Sequence, residues 1–280
     1  MAIKLIAFDL DGTLLNAKKE ITEENRLALR EAAARGIALV PATGRFYPGL
    51  PEELRAPACR YSILGNGTTV YDREEDRRLF EYEISLEDAL AFFDYADSVG
   101  AYYDVYADDL AWISASFYER LSEVITDDSF RNMMKKLRHP VPDLREFLIA
   151  RGRKVQKVLF YFAEPEKRRE QLREMPKRFP GFNITSSIYC NIEINSRLAD
   201  KGLALEALCR ELGIDRKETM ALGDGSNDLG MFRSAGRSVA MANAEEEVRA
   251  AADFVTASCE ESGAGRAIWR YALGGQGEKA

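Results

Sequence analysis

The sequence predicts an open α/β fold: a doubly wound, mostly parallel sheet interrupted by an inserted α+β segment. Three observations predict it. Short, almost wholly apolar runs such as "IKLIAFDL" and "GIALVPATG" read as strands buried on both faces. Stretches of helical period, "TEENRLALREAAARG" and "DKGLALEALCRELGI" among them, alternate with such strands. The middle of the chain changes character, to aromatic strands and strongly charged helices.

Taken in order, "IKLIAFDL" is the first buried strand and "TEENRLALREAAARG" the first helix. Thr22 stands at its N-cap, Glu23 and Glu24 suit the positive end of its dipole, and Gly36 suits its end. "GIALVPATG" and "RYSILGNG" follow as strands ending in glycine or small polar residues. From about Glu83 to Ser187 the strands alternate, as in "AYYDVYADDLAWIS" and "KVQKVLFYF", between amphipathic helices such as "EPEKRREQLREMPKRF". The buried pattern then resumes with "DKGLALEALCRELGI", "ETMALGDG", "RSVAMA" and "DFVTA". The expected organisation is a discontinuous core, residues 1–82 and 188–280, around an inserted α/β domain of residues 83–187. No internal repeat or long linker intervenes, and only the terminal "GGQGEKA" reads as loose.

Composition narrows the function. The chain has 280 residues, 46% hydrophobic and 30% charged, the balance of a folded soluble protein. Its net charge of -7 gives no general attraction to nucleic acid or to an anionic membrane, and of its basic stretches "EKRREQLREMPKR", interleaved with glutamates, reads as a solvated helix face. Neither partner is expected. Cys59, Cys190, Cys209 and Cys259 form no C-x-x-C pair, and no apolar run resembles a signal peptide or a membrane span, so a reducing cytoplasm is expected. The single histidine, His139, falls where Pro140 and Pro142 end a basic helix and reads as a surface residue. One histidine argues against a Ser-His-Asp triad and most hydrolytic zinc sites. Acid chemistry then falls to carboxylates.

Carboxylates gather at the strand ends, where open α/β sheets place their ligands. Asp9 and Asp11 close the first strand two residues apart, so strand alternation would project both together. Two carboxylates that close need a cation or a shared proton. An ordinary Asp-Gly turn is the plainer alternative for the pair alone. "ATGR" ends the second strand with the hydroxyl of Thr43 and the guanidinium of Arg45, both suited to an anion. "ADKG" puts Lys201 in the first turn of a helix, where the dipole is already positive and a bound anion is favoured. "ALGDGSNDLGMF" adds Asp224, Asn227 and Asp228, and an oxygen-only set of this kind suits magnesium. Each could be turn or surface chemistry alone. Their conjunction at four strand ends points to a site.

The series "DLDGT", "ATGR", "ADKG" and "GDGSND" resembles the four motifs of the haloacid dehalogenase-like hydrolases. "FDLDGTLLN", "GNG" at Gly65 to Gly67, the insertion and the terminal "DFVTAS...SGAGRAI" resemble the Cof-type branch, mostly magnesium-dependent phosphatases of small phosphorylated metabolites. "ADKG" departs slightly from the usual valine-polar-Lys-Gly. The resemblance implies a Rossmann-like core with a large inserted cap. It implies Asp9 as the nucleophile that forms an aspartyl phosphate and Asp11 as the acid and base. Mg2+ would be held by Asp9, Asp224 and the backbone carbonyl of Asp11. Thr43, Gly44, Arg45, Lys201 and Asn227 would bind phosphate or substrate, and Asp228, with Asn227, would support the metal and Lys201 from behind. A phosphosugar mutase of the same superfamily or a non-enzymatic metabolite sensor would be the alternatives, while the metal acids count against a dehalogenase. Specificity is expected from the insertion, around Tyr102 to Trp112 or Ser186 to Asn195.

Overall fold

The computed structural model describes residues 2–55, 59–186 and 188–275; the greater part of the terminal "GGQGEKA" and Ser187, at the expected boundary, lie outside them. In chain order the strands are β1 (Leu5–Phe8), β2 (Ala38–Pro41), β3 (Tyr61–Leu64), β4 (Thr69–Asp72), β5 (Arg77–Glu81), β6 (Tyr102–Ala107), β7 (Leu110–Ser114), β8 (Arg138–Val141), β9 (Lys157–Tyr161), β10 (Phe182–Thr185), β11 (Asn191–Ser196), β12 (Thr219–Gly223), β13 (Arg237–Ala240) and β14 (Phe254–Val255). They fall into two units, residues 1–81 with 200–280 and residues 82–199.

The first unit carries a five-stranded parallel sheet in the order β14-β13-β12-β1-β2. Every residue of β1 and β12 is buried, which is why their sequences are apolar without alternation. Successive side chains still point to opposite faces. Ile6, Phe8, Leu39, Met220 and Leu222 pack with Ala28, Leu29 and Ala32 of the helix Glu23–Ala34. Leu5, Ala7, Val40 and Ala221 pack on the other face with Ala204, Leu205 and Leu208 of the helix Lys201–Leu212. The sheet is therefore covered on both sides, as doubly wound sheets are. Thr22 caps the first of these helices, its hydroxyl accepting from the Asn25 N–H.

β3, the third apolar run, does not join this sheet. It starts a separate antiparallel trio, β3-β4-β5, tied to the end of β2 by a parallel bridge between Ala42 and Ile63.

The second unit is a six-stranded sheet in the order β10-β11-β9-β6-β7-β8, antiparallel except for the β7–β8 pair. Val105, Val158, Phe160, Ile192 and Ile194 fill its apolar cluster. Alternate positions carry a buried polar set: Asp104 takes Arg138 Nε at 3.0 Å and the Tyr161 hydroxyl at 3.1 Å, and Lys157 meets Glu193 at 2.7 Å. β11 pairs with β9 and β10, so residues 188–199 belong to this unit, and the division falls at 199/200 where the sequence put it at 187/188. The apolar half of "NIEIN" reads like a core strand, but its Asn and Glu face the polar side of the second sheet.

His139 is exposed on β8, just after the helix Asp128–Leu137. The four cysteines are buried and unpaired. Among the described residues no helix is long and apolar enough to cross a membrane.

Candidate active site

The site forms where β1 and β12 end side by side. The Asp9 N–H donates to the Leu222 carbonyl at 2.9 Å, which fixes the first acid against the neighbouring strand. The chain then reverses at Gly12, whose φ of 86° is left-handed and whose missing side chain leaves room for Asp224; a Cβ there would stand 2.2 Å from Asp224 Oδ2. Thr13, next in the turn, donates its hydroxyl to Asp224 Oδ1 at 2.7 Å.

Lys201 holds the acids together. Its ammonium is fully buried, 2.6 Å from Asp9 Oδ1 and 2.7 Å from Asp228 Oδ1. A cation in the first turn of a helix works against the dipole, and the two carboxylates offset that cost. Asp200 does not pair with it. The Asp200 carboxylate caps the helix instead, accepting from the N–H groups of Gly202 and Leu203. Asp228 Oδ2 accepts from the N–H groups of Asp224 and Gly225 at 2.9 and 3.0 Å, so both of its oxygens are committed. Carboxylate oxygens of Asp9, Asp224 and Asp228 all lie within 4.8 Å of one another.

Burial dominates the electrostatics here. It pushes the Asp9 carboxyl up to about 7 against the pull of Lys201, with the charges of Asp228 and Asp224 adding to the rise. It pushes Asp224 up to about 6, opposed by the Thr13 hydroxyl and helped by Asp228. Burial disfavours the Lys201 charge, but Asp228 and Asp9 outweigh it and raise its pKa. These carboxylates are crowded and short of cations, the condition in which a divalent ion is most welcome.

Asp11 is not one of these three acids, though its charge adds to the rise at Asp224. Its carboxylate is gripped by Arg45, Nη2 to Oδ1 at 2.6 Å and Nε to Oδ2 at 2.8 Å, and by Lys19 Nζ at 2.7 Å. Burial pulls its pKa up, yet the hydrogen bonds and charges of Arg45 and Lys19 prevail and hold it below the ordinary carboxylate range. Asp9 and Asp11 both lie beyond the end of β1 at Phe8, so their side chains are placed by their partners rather than by strand alternation. Arg45, expected to face a substrate, is also tied by Nη1 to the Gly49 carbonyl at 2.9 Å.

Thr43 is buried beyond the end of β2. Its N–H donates to the Ile63 carbonyl at 2.9 Å, and its hydroxyl accepts from the Arg45 N–H at 3.2 Å. Gly44 follows, beside the side chain of Asn66. Asn227 is exposed and donates to Asn66 Oδ1 at 3.1 Å rather than supporting Lys201. Sequence reasoning missed Thr13, Lys19 and Asn66. Thr13 adjoins the first motif and Asn66 lies between two glycines, so both had a signal; Lys19, a left-handed residue with φ 64°, had none.

The family model described as haloacid dehalogenase-like hydrolase matches residues 6–268. The chain belongs to this family. Within the haloacid dehalogenase-like hydrolases it is 32% identical to Phosphatase YwpJ of Bacillus subtilis, an alignment covering 93% of this chain and 97% of that protein. It is likewise 32% identical to the 5-amino-6-(5-phospho-D-ribitylamino)uracil phosphatase YwtE of B. subtilis, over 93% and 95% of the two chains. A solved haloacid dehalogenase-like hydrolase from Bacteroides thetaiotaomicron superposes with a TM-score of 0.82 at 31% identity, covering 96% of this chain and 99% of that one. The chain, like these relatives, is a haloacid dehalogenase-like phosphatase.

Proposed function

We propose that this phosphatase hydrolyses small phosphorylated metabolites in a magnesium-dependent reaction that passes through an aspartyl phosphate on Asp9. The observation that carries the proposal is the buried Lys201, bonded to Asp9 and Asp228 beside Asp224: one carboxylate is aligned at the sheet edge, next to further acids with too few cations.

The donor set fits Mg2+, which needs only oxygen ligands and one or two carboxylates. Asp9 and Asp224 would hold it with the Asp11 carbonyl; Asp228, both oxygens already engaged, supports Lys201 and the Asp224 backbone. When bound, the ion would neutralise charge between carboxylate and phosphate.

Asp9 in its ionised form needs no base. Its oxygen attacks phosphorus, the bond from phosphorus to the leaving oxygen breaks, and Asp11 gives that oxygen a proton. Water then attacks the phosphorus of the aspartyl phosphate and gives its proton to Asp11, which restores the Asp9 carboxylate and yields inorganic phosphate. Asp11 must leave at least one of its two cationic partners to do this. Thr43, the Gly44 amide, Arg45, Lys201 and Asn227 serve the substrate's phosphate oxygens as the transferring group flattens. The names of the relatives support the substrate class, since YwtE acts on a phosphorylated ribityl metabolite. Four buried, unpaired thiols suit a reducing cytoplasm.

The test is phosphate release across a panel of phosphorylated metabolites, with and without Mg2+, for the wild type and Asp9→Asn. Release that needs the ion and disappears in a folded variant is expected. Release that survives the substitution would overturn the assignment of Asp9.

A further inference from the structure

Gly65, Asn66 and Gly67 take left-handed backbone conformations in succession, with φ of 57°, 59° and 97°. The turn is wedged in place: a Cβ at 67 would stand 2.4 Å from the backbone of Asp200, and one at 65 would stand 2.6 Å from the Phe46 ring. Its backbone secures the segment before it, since the Asn66 N–H donates to the Thr43 carbonyl at 2.9 Å and the Gly65 N–H to the Arg45 carbonyl at 3.0 Å. Glycine at 66 would meet the same φ with less strain. An asparagine there is explained by what its side chain does.

That side chain reaches across to another strand end. Its Oδ1 accepts from Asn227 Nδ2 at 3.1 Å, and the same oxygen lies 3.1 Å from where a Cβ of Gly44 would be. Residue 66 therefore joins the Thr43 to Arg45 segment, through backbone, to the Asp224 to Asp228 segment, through its amide. Gly67 brings the same turn against the start of the helix that carries Lys201.

We propose that Asn66 is a positioning residue for phosphate binding, holding the Asn227 amide beside Gly44 so that the second Nδ2 proton of Asn227 is directed at a phosphate oxygen. This rests on the placement of phosphate against residues 43–45, 201 and 227. Asn66→Gly keeps the turn and deletes the amide, so its Tm stays at or above that of the wild type. Its KM for p-nitrophenyl phosphate and its Kd for inorganic phosphate, measured by calorimetry with Mg2+, rise about tenfold, the worth of one hydrogen bond. Its kcat falls less than its KM rises, because Asn66 itself touches no reacting atom.

Asn227→Ala raises the Kd for inorganic phosphate at least as much, and the double variant is no worse in Kd than Asn227→Ala alone, because the two act through one contact. Unchanged phosphate affinity in Asn66→Gly, or additive losses in the double variant, would overturn the proposal. Phosphate affinity reports on Asn66 whether or not the protein turns over, whereas Asp9→Asn reports on the reaction, so the two failures are distinguishable.

Discussion

Asp11 and Arg45 form a two-pronged ion pair, 2.6 and 2.8 Å across its hydrogen bonds, at the mouth of the first turn. A guanidinium fork fixes the plane of a carboxylate as an ammonium cannot. Arg45→Lys should therefore lower kcat about tenfold, a fraction of the hundredfold or more expected from Asp11→Asn as the acid and base. Because the pair is partly exposed, stability should change by under about 1 kcal/mol. Steady-state kinetics beside thermal denaturation checks this, and a kcat equal to that of the wild type would show that the fork does not orient Asp11.

Lys201 is the reverse case, a cation with no solvent. Replacing it by methionine leaves Asp9 and Asp228 buried beside one another with no counter-charge. Loss of one partner from such a buried set costs about 3–5 kcal/mol. Urea denaturation of Lys201→Met should show that loss, together with loss of phosphatase activity.

Gly12 and Thr13 set the position of Asp224 through its two carboxylate oxygens. A methyl at 12 would overlap Asp224 Oδ2, and Thr13→Val would release Oδ1. Both substitutions should raise the Mg2+ concentration needed for half-maximal activity, by about tenfold or more, as expected for groups that orient a metal ligand. A metal titration of activity for each variant decides it.

Away from the site, Asp72 offers a pH test. Burial favours its neutral form, but Arg60 at 2.9 Å and the N–H groups of Glu74 and Glu75 outweigh burial and hold its pKa below the ordinary value. A depressed carboxyl stabilises the fold above the unfolded pKa of about 4 and loses that contribution as pH falls through the folded value. Asp72→Asn should thus cost about 1 kcal/mol from pH 5 to 7, and the gap from the wild type should close below about pH 4. Denaturation midpoints across that range supply the check.

The strand ends were legible in the sequence for a simple reason. β1 and β12 are apolar because both their faces are covered, and parallel strands in register bring their carboxyl ends to one edge, so Asp9 and Asp224 meet. Lys201 was legible because a lysine in a helix's first turn needs an anion to explain it. The grip of Arg45 and Lys19 on Asp11 was not legible, because Asp11 lies past the end of β1 at Phe8, where the period of two no longer applies. Asn227 was expected to bind phosphate and to support the metal and Lys201; its contact with Asn66, 161 residues away on a loop, has no local pattern. The boundary at 199/200 was hidden because β11 shows an apolar face like that of a core strand while pairing antiparallel in another sheet.

β1 sits between β2 and β12, and Thr13 and Asp224 are 211 residues apart in the chain. On a ribosome, β1 is made early and must wait for most of the polypeptide before its second neighbour emerges. Residues 82–199 close their sheet entirely among themselves and are complete before β12 is synthesised. Contacts of such long range are slow to form and leave an unpaired edge exposed meanwhile. Premature termination between Ala199 and Thr219 would therefore release a chain with one finished unit and only β1 and β2 of the catalytic sheet, a natural client for chaperones and proteases.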